Sequence, residues 1–567
     1  MPRRESVIVD PVAAHVFRRA CAAVDPSLVK TLQERMTARV GRPRAQSWYV
    51  MLVLAMIAAI ESNGELFLTR INRVAGRLTA KQRQRIGMER AASYSQVDRA
   101  LTDLSRAVEE TVDNDTGEYT PPKLGMGLDD LASLIVSGVL PEHLKNRPSV
   151  AVDSTDYETH RRRRAWRKTP DVAPGSLPEP DAKPVKPGAN ESGWPRIGDD
   201  GRIQATFDPD AREGYRAGKN LSPKGVFVGW DLHFAACVGE SPEDAVAPLT
   251  TAFSIKPAGD YKADGGLGVL DALIRDDRGP DTALVDRGYS YLSAENWARE
   301  LGLRGIEQVC DLHTNQRGVH PGPKPHTIFV DGALFIDALP TRLRNLPGFS
   351  IGETQEETVE KVALYEERLP YLFARLGPPD LKRGTQRVRG PALTGRVRCP
   401  NNAKSMRLSP ATRPTLDCDP HGCACSIAPT LGPDDHLQIR QRHPYGTQQW
   451  KADYNRRNHV ESYNASIKFH HSRLARGSTR VLGTNKTGIL VALLVAANNI
   501  EVLLSAYEWD PGAPNVPAEE VTWRPSSSQI TKRRAFAHRT RRKPDQPPPG
   551  EPADGVDWLQ PFSLPSN

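Results

Sequence analysis

The chain has 567 residues, of which 38% are hydrophobic, so it is too long for one ordinary domain and predicts two to four domains with substantial cores. Its formal net charge of +8 favours a polyanionic partner, and its seven cysteines, an odd number, indicate a reducing cytoplasm rather than a disulfide scaffold. Two apolar runs, 48–60 and 488–497, are shorter than the ~20 residues of a membrane-spanning helix. We therefore expect buried core helices and no membrane partner.

Residues 1–147 are predicted to form an all-α N-terminal domain. Apolar residues recur at spacings of three and four in the segments 67–87 and 93–112, among many arginines. A compact, basic helical unit of this kind can place a helix in a DNA groove, so we expect a DNA-binding domain. The alternative is a plain helical bundle whose arginines are solvated.

Residues 148–305 and 451–508 are predicted to form an α/β core. The run "PSVAVDST" is typical of a buried strand that ends at Asp153, and "DTALVDRGY" is typical of a second strand that ends at Asp286. Helical patterns alternate with these strands, as they do in α/β architectures. A polar, proline-rich stretch within this core predicts a loop insertion over residues 169–220.

Two further segments differ from this core in amino-acid composition. Residues 306–450 combine short β-like runs with many prolines, which predicts a β-rich insertion domain that splits the core. Residues 509–567 are basic and then proline-rich, which predicts a disordered tail. The tail cations are expected to contact DNA only non-specifically.

The stretch "YNRRNHVESYNASIK" carries an acid, two cations and a phenol at helical spacing. These residues are Tyr454, Arg457, Glu461 and Lys468. On an uninterrupted helix of about 100° per residue, the four side chains lie within about 60° of one another. Taken alone, these four residues are better explained by a solvated helix with i,i+4 ion pairs.

Two strand-end aspartates give this helix face a chemical context. Asp153 and Asp286 each follow an apolar strand, where loops of α/β folds form sites. Together with Glu461 they can hold two divalent metal ions about 4 Å apart, and Mg²⁺ or Mn²⁺ suits such oxygen ligands. Cations beside the glutamate would then bind the phosphates of a nucleic acid strand.

Other carboxylates compete for both aspartate positions. Asp156 and Glu158 crowd Asp153, although the strand-end position favours Asp153. Asp276 and Asp277 compete with Asp286, but they follow a helical pattern and are expected to be surface charges.

The order of these residues resembles a known family. Tyr454-x2-Arg457-x3-Glu461-x6-Lys468, preceded by Asp153 and Asp286, is similar to the Y-R-E-K signature and D-D-E triad of DDE transposases of bacterial insertion sequences, in their IS-four-type branch. The resemblance covers roughly residues 148–508. It implies an RNase H-like catalytic core split by a β-rich insertion, with an all-α N-terminal domain and a disordered C-terminal tail.

The resemblance also implies a reaction and roles for the residues. Asp153, Asp286 and Glu461 would be the catalytic metal ligands for two Mg²⁺ or Mn²⁺ ions. Arg457 and Lys468 would contact transposon-end phosphates, and Tyr454 would contact the same backbone. The reaction would be metal-dependent cleavage at transposon ends, followed by strand transfer into target DNA. A homodimer would pair the two ends in a synaptic complex in the cytoplasm, at the nucleoid.

Three alternatives stay open. A domesticated copy would bind DNA without cutting it, and a metal-dependent nuclease would share the triad without strand transfer. A sequence-specific regulator would need the N-terminal helices alone. Members of this branch also often stack a flipped base on a tryptophan; Trp297 and Trp450 are available, but a buried core position is the preferred interpretation for both.

Two further clusters are candidate sites. Cys399, Cys418, Cys423 and Cys425 fall within 27 residues, which suggests a structural Zn²⁺ site, although the spacing lacks paired C-x2-C knuckles. Reduced cysteines in an irregular insert are the alternative. The run "HRRRRAWRK" follows the first catalytic strand, and its residues Arg162, Arg163 and Arg164 are predicted to contact DNA phosphates, with a solvated loop as the alternative.

Overall fold

The computed structural model describes residues 10–523, except 37–43, 113–115, 165–195, 199, 217–224, 241–243, 245, 260–261, 351 and 471–472. The end of the basic run at 165–168 and most of the predicted 169–220 insertion therefore lie outside the described residues. The same holds for residues 524–567 of the predicted tail.

The N-terminal region is helical, as its periodicity predicts. Its elements are α1 (Ala14–Ala23), α2 (Pro26–Met36), α3 (Trp48–Ile60), α4 (Leu68–Arg77), α5 (Ala80–Ile86), α6 (Tyr94–Ala107), the short hairpin β1 (Thr111–Val112) and β2 (Tyr119–Thr120), α7 (Leu128–Ser137) and α8 (Glu142–Lys145). Ser93 caps α6 through a capping box with Gln96. Helix α3 is buried over nearly its whole length, which accounts for its uninterrupted apolar sequence.

A six-stranded mixed sheet forms the centre of the molecule. Its region comprises β3 (Ser149–Glu158), β4 (Arg196–Ile197), β5 (Ile203–Gln204), β6 (Arg212–Arg216), β7 (Gly225–Cys237), β8 (Thr250–Pro257), α9 (Lys262–Arg275), β9 (Thr282–Val285), α10 (Arg287–Ser290), α11 (Arg299–Leu303) and β10 (Glu307–Cys310), with β4 and β5 forming a separate hairpin. The strand order is β10-β9-β3-β7-β6, and β8 also pairs with β7. Strands β3, β9 and β10 run parallel, whereas β7 is antiparallel to β3, β6 and β8.

Residues after β10 form small sheets outside the central one. These elements are β11 (Val319–Pro321), β12 (Thr327–Val330), β13 (Ala333–Ile336), α12 (Gln355–Glu366), β14 (Ala374–Arg375), β15 (Gln386–Arg389), α13 (Ala403–Met406) and β16 (Thr430–Leu431). Strand β10 lies within the predicted 306–450 segment but pairs with β9. The central sheet therefore extends past residue 305, and the separate sheets begin at β11.

The chain then returns to the central sheet through three helices. They are α14 (Gln448–Asn455), α15 (Asn458–Ala465), which runs into a π-helical turn over Ser466–His470, and α16 (Thr484–Ala506). Helix α15 packs on β3 and β7, and α14 packs on β10. Segments that are distant in sequence thus complete one sheet-and-helix core.

Helix α16 joins the N-terminal helices to the sheet. It packs against α3, α6, α7 and β8, and its residues Thr487–Ile500 are buried. By length and composition it is the one helix among the described residues that could cross a membrane, and 78% of its most apolar window is buried inside the protein.

The chain after α16 remains packed over residues 509–523. Arg19 of α1 forms an ion pair with Asp510 at 3.0 Å, and His143 Nε2 lies 2.7 Å from the carbonyl of Val521. Val521 is 1% exposed. The start of the predicted tail at residue 509 therefore does not coincide with the end of the packed chain.

Candidate active site

Asp153 and Asp286 lie side by side where the parallel pairing of two interior strands of the central sheet ends. Strands β3 and β9 pair in parallel up to Val152 and Val285, so the next residue of each strand is an aspartate. Strand β3 continues to Glu158 against β7, whereas β9 ends and Asp286 caps the short helix α10. The amide of Gly288 donates to Asp286 Oδ1 at 3.0 Å, which fixes the orientation of that carboxylate.

Both carboxylates meet the ammonium group of Lys262. Lys262 Nζ lies 2.9 Å from Asp286 Oδ1 and 3.5 Å from Asp153 Oδ1. Burial alone would lower the pKa of Lys262, but the two carboxylates outweigh it and raise that pKa. The arrangement therefore concentrates one positive charge between two negative ones, and it keeps the lysine protonated.

The environment of Asp153 disfavours its charged form. Burial and then the neighbouring carboxylate of Asp286 raise the pKa of Asp153 to about 6, despite the opposing effects of Lys262 and Arg457. Asn464 on α15 also lies near, with its Nδ2 3.5 Å from Asp153 Oδ2. Additional positive charge near these two carboxyl groups would stabilise the ionised form of Asp153.

Glu461 lies on α15, beside this pair but turned to a different partner. Arg457 Nη2 donates to Glu461 Oε1 at 2.6 Å, and the Glu461 side chain is 54% exposed. Among the described residues, the one group of three or more Asp, Glu, His or Cys side chains whose ligand atoms lie within 4.8 Å of one another consists of cysteines. The ligand oxygens of Asp153, Asp286 and Glu461 are thus not all within this distance of one another. The Arg457 guanidinium bonds to Glu461 and also interacts electrostatically with Asp153.

The stretch around Glu461 is not one continuous helix. Helix α14 ends at Asn455, α15 begins at Asn458, and Lys468 lies in the π-helical turn. The expectation of one uninterrupted helix is therefore wrong. Arg456 and Arg457 nevertheless keep α-helical backbone angles, and Arg457 contacts both Tyr454 and Glu461. π-helical turns are frequent at functional sites because they redirect side chains.

Tyr454 and Lys468 are consequently held by different neighbours. Tyr454 stacks on Trp450, with ring centroids 4.9 Å apart and planes at 8°, and the Arg457 guanidinium lies 5.3 Å from the Tyr454 ring. Lys468 Nζ donates to Asp156 Oδ1 at 2.8 Å. Tyr454, Arg457 and Glu461 form one cluster. Lys468 lies apart from them, beside Asp156 of β3.

The competing carboxylates occupy other positions. Asp156 pairs with Lys468, and Glu158 pairs with Arg476 at 3.1 Å. Asp276 and Asp277 are exposed and precede β9, so they lie at the end of that strand opposite Asp286. Asp153 and Asp286 are the pair that the sheet brings together.

The three candidate DNA-contacting arginines after β3 lie at or near the surface. Arg162 and Arg163 are exposed, and Arg163 Nη2 lies 2.5 Å from Glu213 Oε1. The Arg164 guanidinium lies 3.8 Å from the Phe207 ring. The candidate tryptophans are both 1% exposed: Trp297 Nε1 donates to Gln308 and Trp450 Nε1 donates to Gln441, which confirms the preferred interpretation that each is a core residue.

Lys262 is the main residue of the site that the motif search missed. It begins α9, and the sequence signal that accompanies it is the glycine pair Gly265-Gly266. A Cβ atom at Gly265 would lie 2.2 Å from the His233 ring, and one at Gly266 would lie 2.7 Å from the Tyr289 ring. The glycines therefore let α9 approach the sheet closely enough for Lys262 to reach both aspartates.

Comparisons of the chain with protein-family models, with curated proteins and with solved structures found no match.

Proposed function

We propose that the protein is a DDE-type DNA transposase that cleaves transposon ends and joins them to target DNA. The observation that carries the proposal is that Asp153 and Asp286 directly follow Val152 and Val285, the last paired residues of two adjacent parallel strands, and that both carboxylates contact one ammonium group. Two features support the RNase H-like core that the resemblance implies. The aspartates lie on adjacent interior strands of a mixed sheet, and helices from beyond the insertion pack on that sheet.

The donor set of the aspartate pair fits a divalent cation. Both groups are carboxylates, the ligands that Mg²⁺ and Mn²⁺ prefer, and the single charge of the Lys262 ammonium offsets only part of their negative charge. Burial and the Asp286 carboxylate raise the pKa of Asp153, so a cation between the carboxylates would relieve their repulsion. Asp153, Asp286 and Glu461 would hold the metal.

When bound, Mg²⁺ supplies Lewis acidity that stabilises charge on the attacking and leaving oxygens of phosphoryl transfer. The chain itself then has three tasks. Gly288 and Asn464 orient the aspartates through their N–H groups. Arg457 bonds to Glu461 through Nη2 only, and its remaining N–H groups would bind a DNA phosphate. Exposed Arg162 and Arg163 bind the backbone of the same strand near the end of β3.

An excision assay in cells tests the proposed function. A plasmid would carry a marker between the two DNA segments that flank the gene, and the protein would be supplied in trans. We expect excision with the wild-type chain and none with Asp286→Asn, whereas Asp277→Asn, an exposed aspartate at the opposite end of β9, retains it. Equal excision by both variants, or none by wild type with functional ends, would contradict the proposal.

A further inference from the structure

The four clustered cysteines of the insertion converge on one point. Cys399 Sγ lies 3.6 Å from Cys423 Sγ, and Cys418 Sγ lies 3.6 Å from Cys425 Sγ. All four sulfur atoms lie within 4.8 Å of one another. Because the sequence spacing is irregular, it is the fold of the insert, and not a paired knuckle motif, that assembles this group.

The sulfur spacing matches a tetrahedral metal thiolate and not disulfides. A Zn–S bond of about 2.3 Å places the sulfurs of a tetrahedral site about 3.8 Å apart, whereas a disulfide holds them at about 2.0 Å. All four cysteines are unbonded to one another. The distances of 3.6 Å therefore require little movement for four thiolates to bind one ion.

The surroundings of the sulfurs supply the N–H groups that such a site needs. The amide N–H of Asn401 donates to the Cys399 sulfur, and Asn401 Nδ2 lies 3.4 Å from Cys423 Sγ. The amide of Cys425 donates to the Cys423 sulfur. Hydrogen bonds from outer groups orient thiolate ligands and spread their negative charge.

The four cysteines also lie in a part of the insert that has only a small hydrophobic core. Cys399 and Cys425 belong to a small hydrophobic cluster of the insert that is separate from the main core, and Cys418 and Cys423 pack against it. Short strands β14–β16 and long irregular connections surround this cluster. A core of this size supplies little stability by itself, and natural small domains add a metal for that reason.

We propose that Cys399, Cys418, Cys423 and Cys425 bind one structural Zn²⁺ ion that closes the loops of the insert. Four protein ligands leave no open coordination position, so the site has a structural and not a catalytic role. The ion ties the segment before the 400–417 loop to the segment after it. This inference does not depend on the proposed transposase activity.

Metal analysis of the full chain tests the inference. The protein would be produced with zinc in the medium and purified under reducing conditions, and zinc would be measured per chain by elemental analysis. We expect one zinc per wild-type chain and one for Asp286→Asn. We expect loss of most zinc from Cys418→Ser and from Cys423→Ser, and full retention in Cys21→Ser, a cysteine of α1. A zinc-free wild-type chain would overturn the inference.

Two further measurements separate a metal site from disulfides and from misfolding. Cobalt substitution should give the visible absorption bands of a tetrahedral thiolate site, and a Cys423→His variant should keep a bound ion with altered bands. Lys404 and Arg407 lie at the surface of the 400–417 loop, and removal of the ion by a chelator should loosen this loop and make the bonds after both residues rapidly cleavable by trypsin. Mass loss from two disulfides, or cleavage unchanged by the chelator, would contradict the proposal.

Discussion

At the scale of single residues, the site is a pair of like charges around one lysine. The sequence identifies Asp153 and Asp286 because each follows an apolar run, and the parallel pairing of β3 and β9 places them together. It does not identify Lys262, because a lysine at the start of a helix has no motif of its own. Its role depends on the close approach of α9 to the sheet, which is a tertiary property.

Replacement of Lys262 should strengthen metal binding. The Lys262 ammonium occupies the electrostatic position of a cation between the aspartates, so the variant Lys262→Met removes a competitor. We expect Mn²⁺ affinity, measured by titration with electron paramagnetic resonance detection, to rise about tenfold, or about 1.4 kcal/mol. Lys256→Met serves as control because Lys256 pairs with Asp129, 2.8 Å away. Unchanged or weaker binding by Lys262→Met would contradict the assignment.

A buried histidine should make stability depend on pH. His233 of β7 is 2% exposed, and burial, with smaller effects of Lys262 and Lys256, lowers its pKa to about 3. The unfolded chain binds a proton on this group below about pH 6.5, and the folded chain does not until about pH 3. The contribution of neutral His233 is therefore present above pH 6.5 and is lost as the pH falls.

The measurement is denaturant unfolding of wild type and His233→Gln between pH 7 and pH 4. We expect the free energy of unfolding of wild type to fall relative to the variant by up to about 1.4 kcal/mol per pH unit below about pH 6.5. A stability difference that does not change with pH over this range would show that His233 does not titrate in this way.

At the scale of elements, the helix around Glu461 shows where periodicity fails. Spacing alone predicts an uninterrupted helix, but the regular α-helical hydrogen bonding breaks between Asn455 and Asn458 and changes again in the π-helical segment. Arg456 lies in the first break, where it bonds to the Gly239 carbonyl at 3.1 Å and to Glu240 at 3.0 Å. Such long-range contacts override local propensity, and no local pattern reports them.

The start of α16 has a cap supplied from a distant segment. Gly483 and Thr484 lack a side-chain cap of their own, and Asp210 Oδ2 accepts from the Thr484 amide at 2.6 Å while Asp208 Oδ1 accepts from the Gly483 amide at 3.0 Å. The acidic run "DPD" therefore fixes the end of the helix that joins the N-terminal region to the sheet.

Loss of this cap should cost stability. We expect Asp210→Ala to lower the free energy of unfolding by about 0.5–2 kcal/mol, since the Thr484 amide at the helix start loses its acceptor. Asp434→Ala, at an exposed position of the insert, is the matched control, with a change within about 0.5 kcal/mol. Chemical denaturation measures both, and equal effects would show that the cap contributes nothing specific.

At the scale of the whole molecule, the predicted domains share one core. The change in composition at residue 148 predicts a boundary, and the helical character of the N-terminal region agrees with the structure. The sequence does not predict that the N-terminal helices and the central sheet share one core. An apolar run such as 488–497 indicates a buried helix but does not reveal which surface covers it. Asn499 of α16 shows the connection: its side chain bonds to the Val136 carbonyl at 3.0 Å and to the Thr250 carbonyl at 2.8 Å.

Removal of the N-terminal helices should therefore unfold the rest. A fragment of residues 148–523 would expose the apolar faces of α16 and β8 that α3 and α7 cover. We expect the fragment to be insoluble, or soluble without a cooperative thermal transition by circular dichroism, whereas a chain of residues 10–523 unfolds cooperatively. Cooperative unfolding of the 148–523 fragment would mean that the N-terminal helices form a separate domain.

Cleavage of defined DNA by the purified protein tests the central claim most directly. The substrates are duplexes that span each end of the flanking DNA, labelled on each strand, with Mg²⁺ or Mn²⁺ and with chelator as control. We predict a metal-dependent break at the same position on both ends with wild type, and none with Glu461→Gln, although that variant still retards the duplex in a binding gel. Undiminished cleavage by Glu461→Gln, or equal cleavage of unrelated duplexes by wild type, would contradict the account.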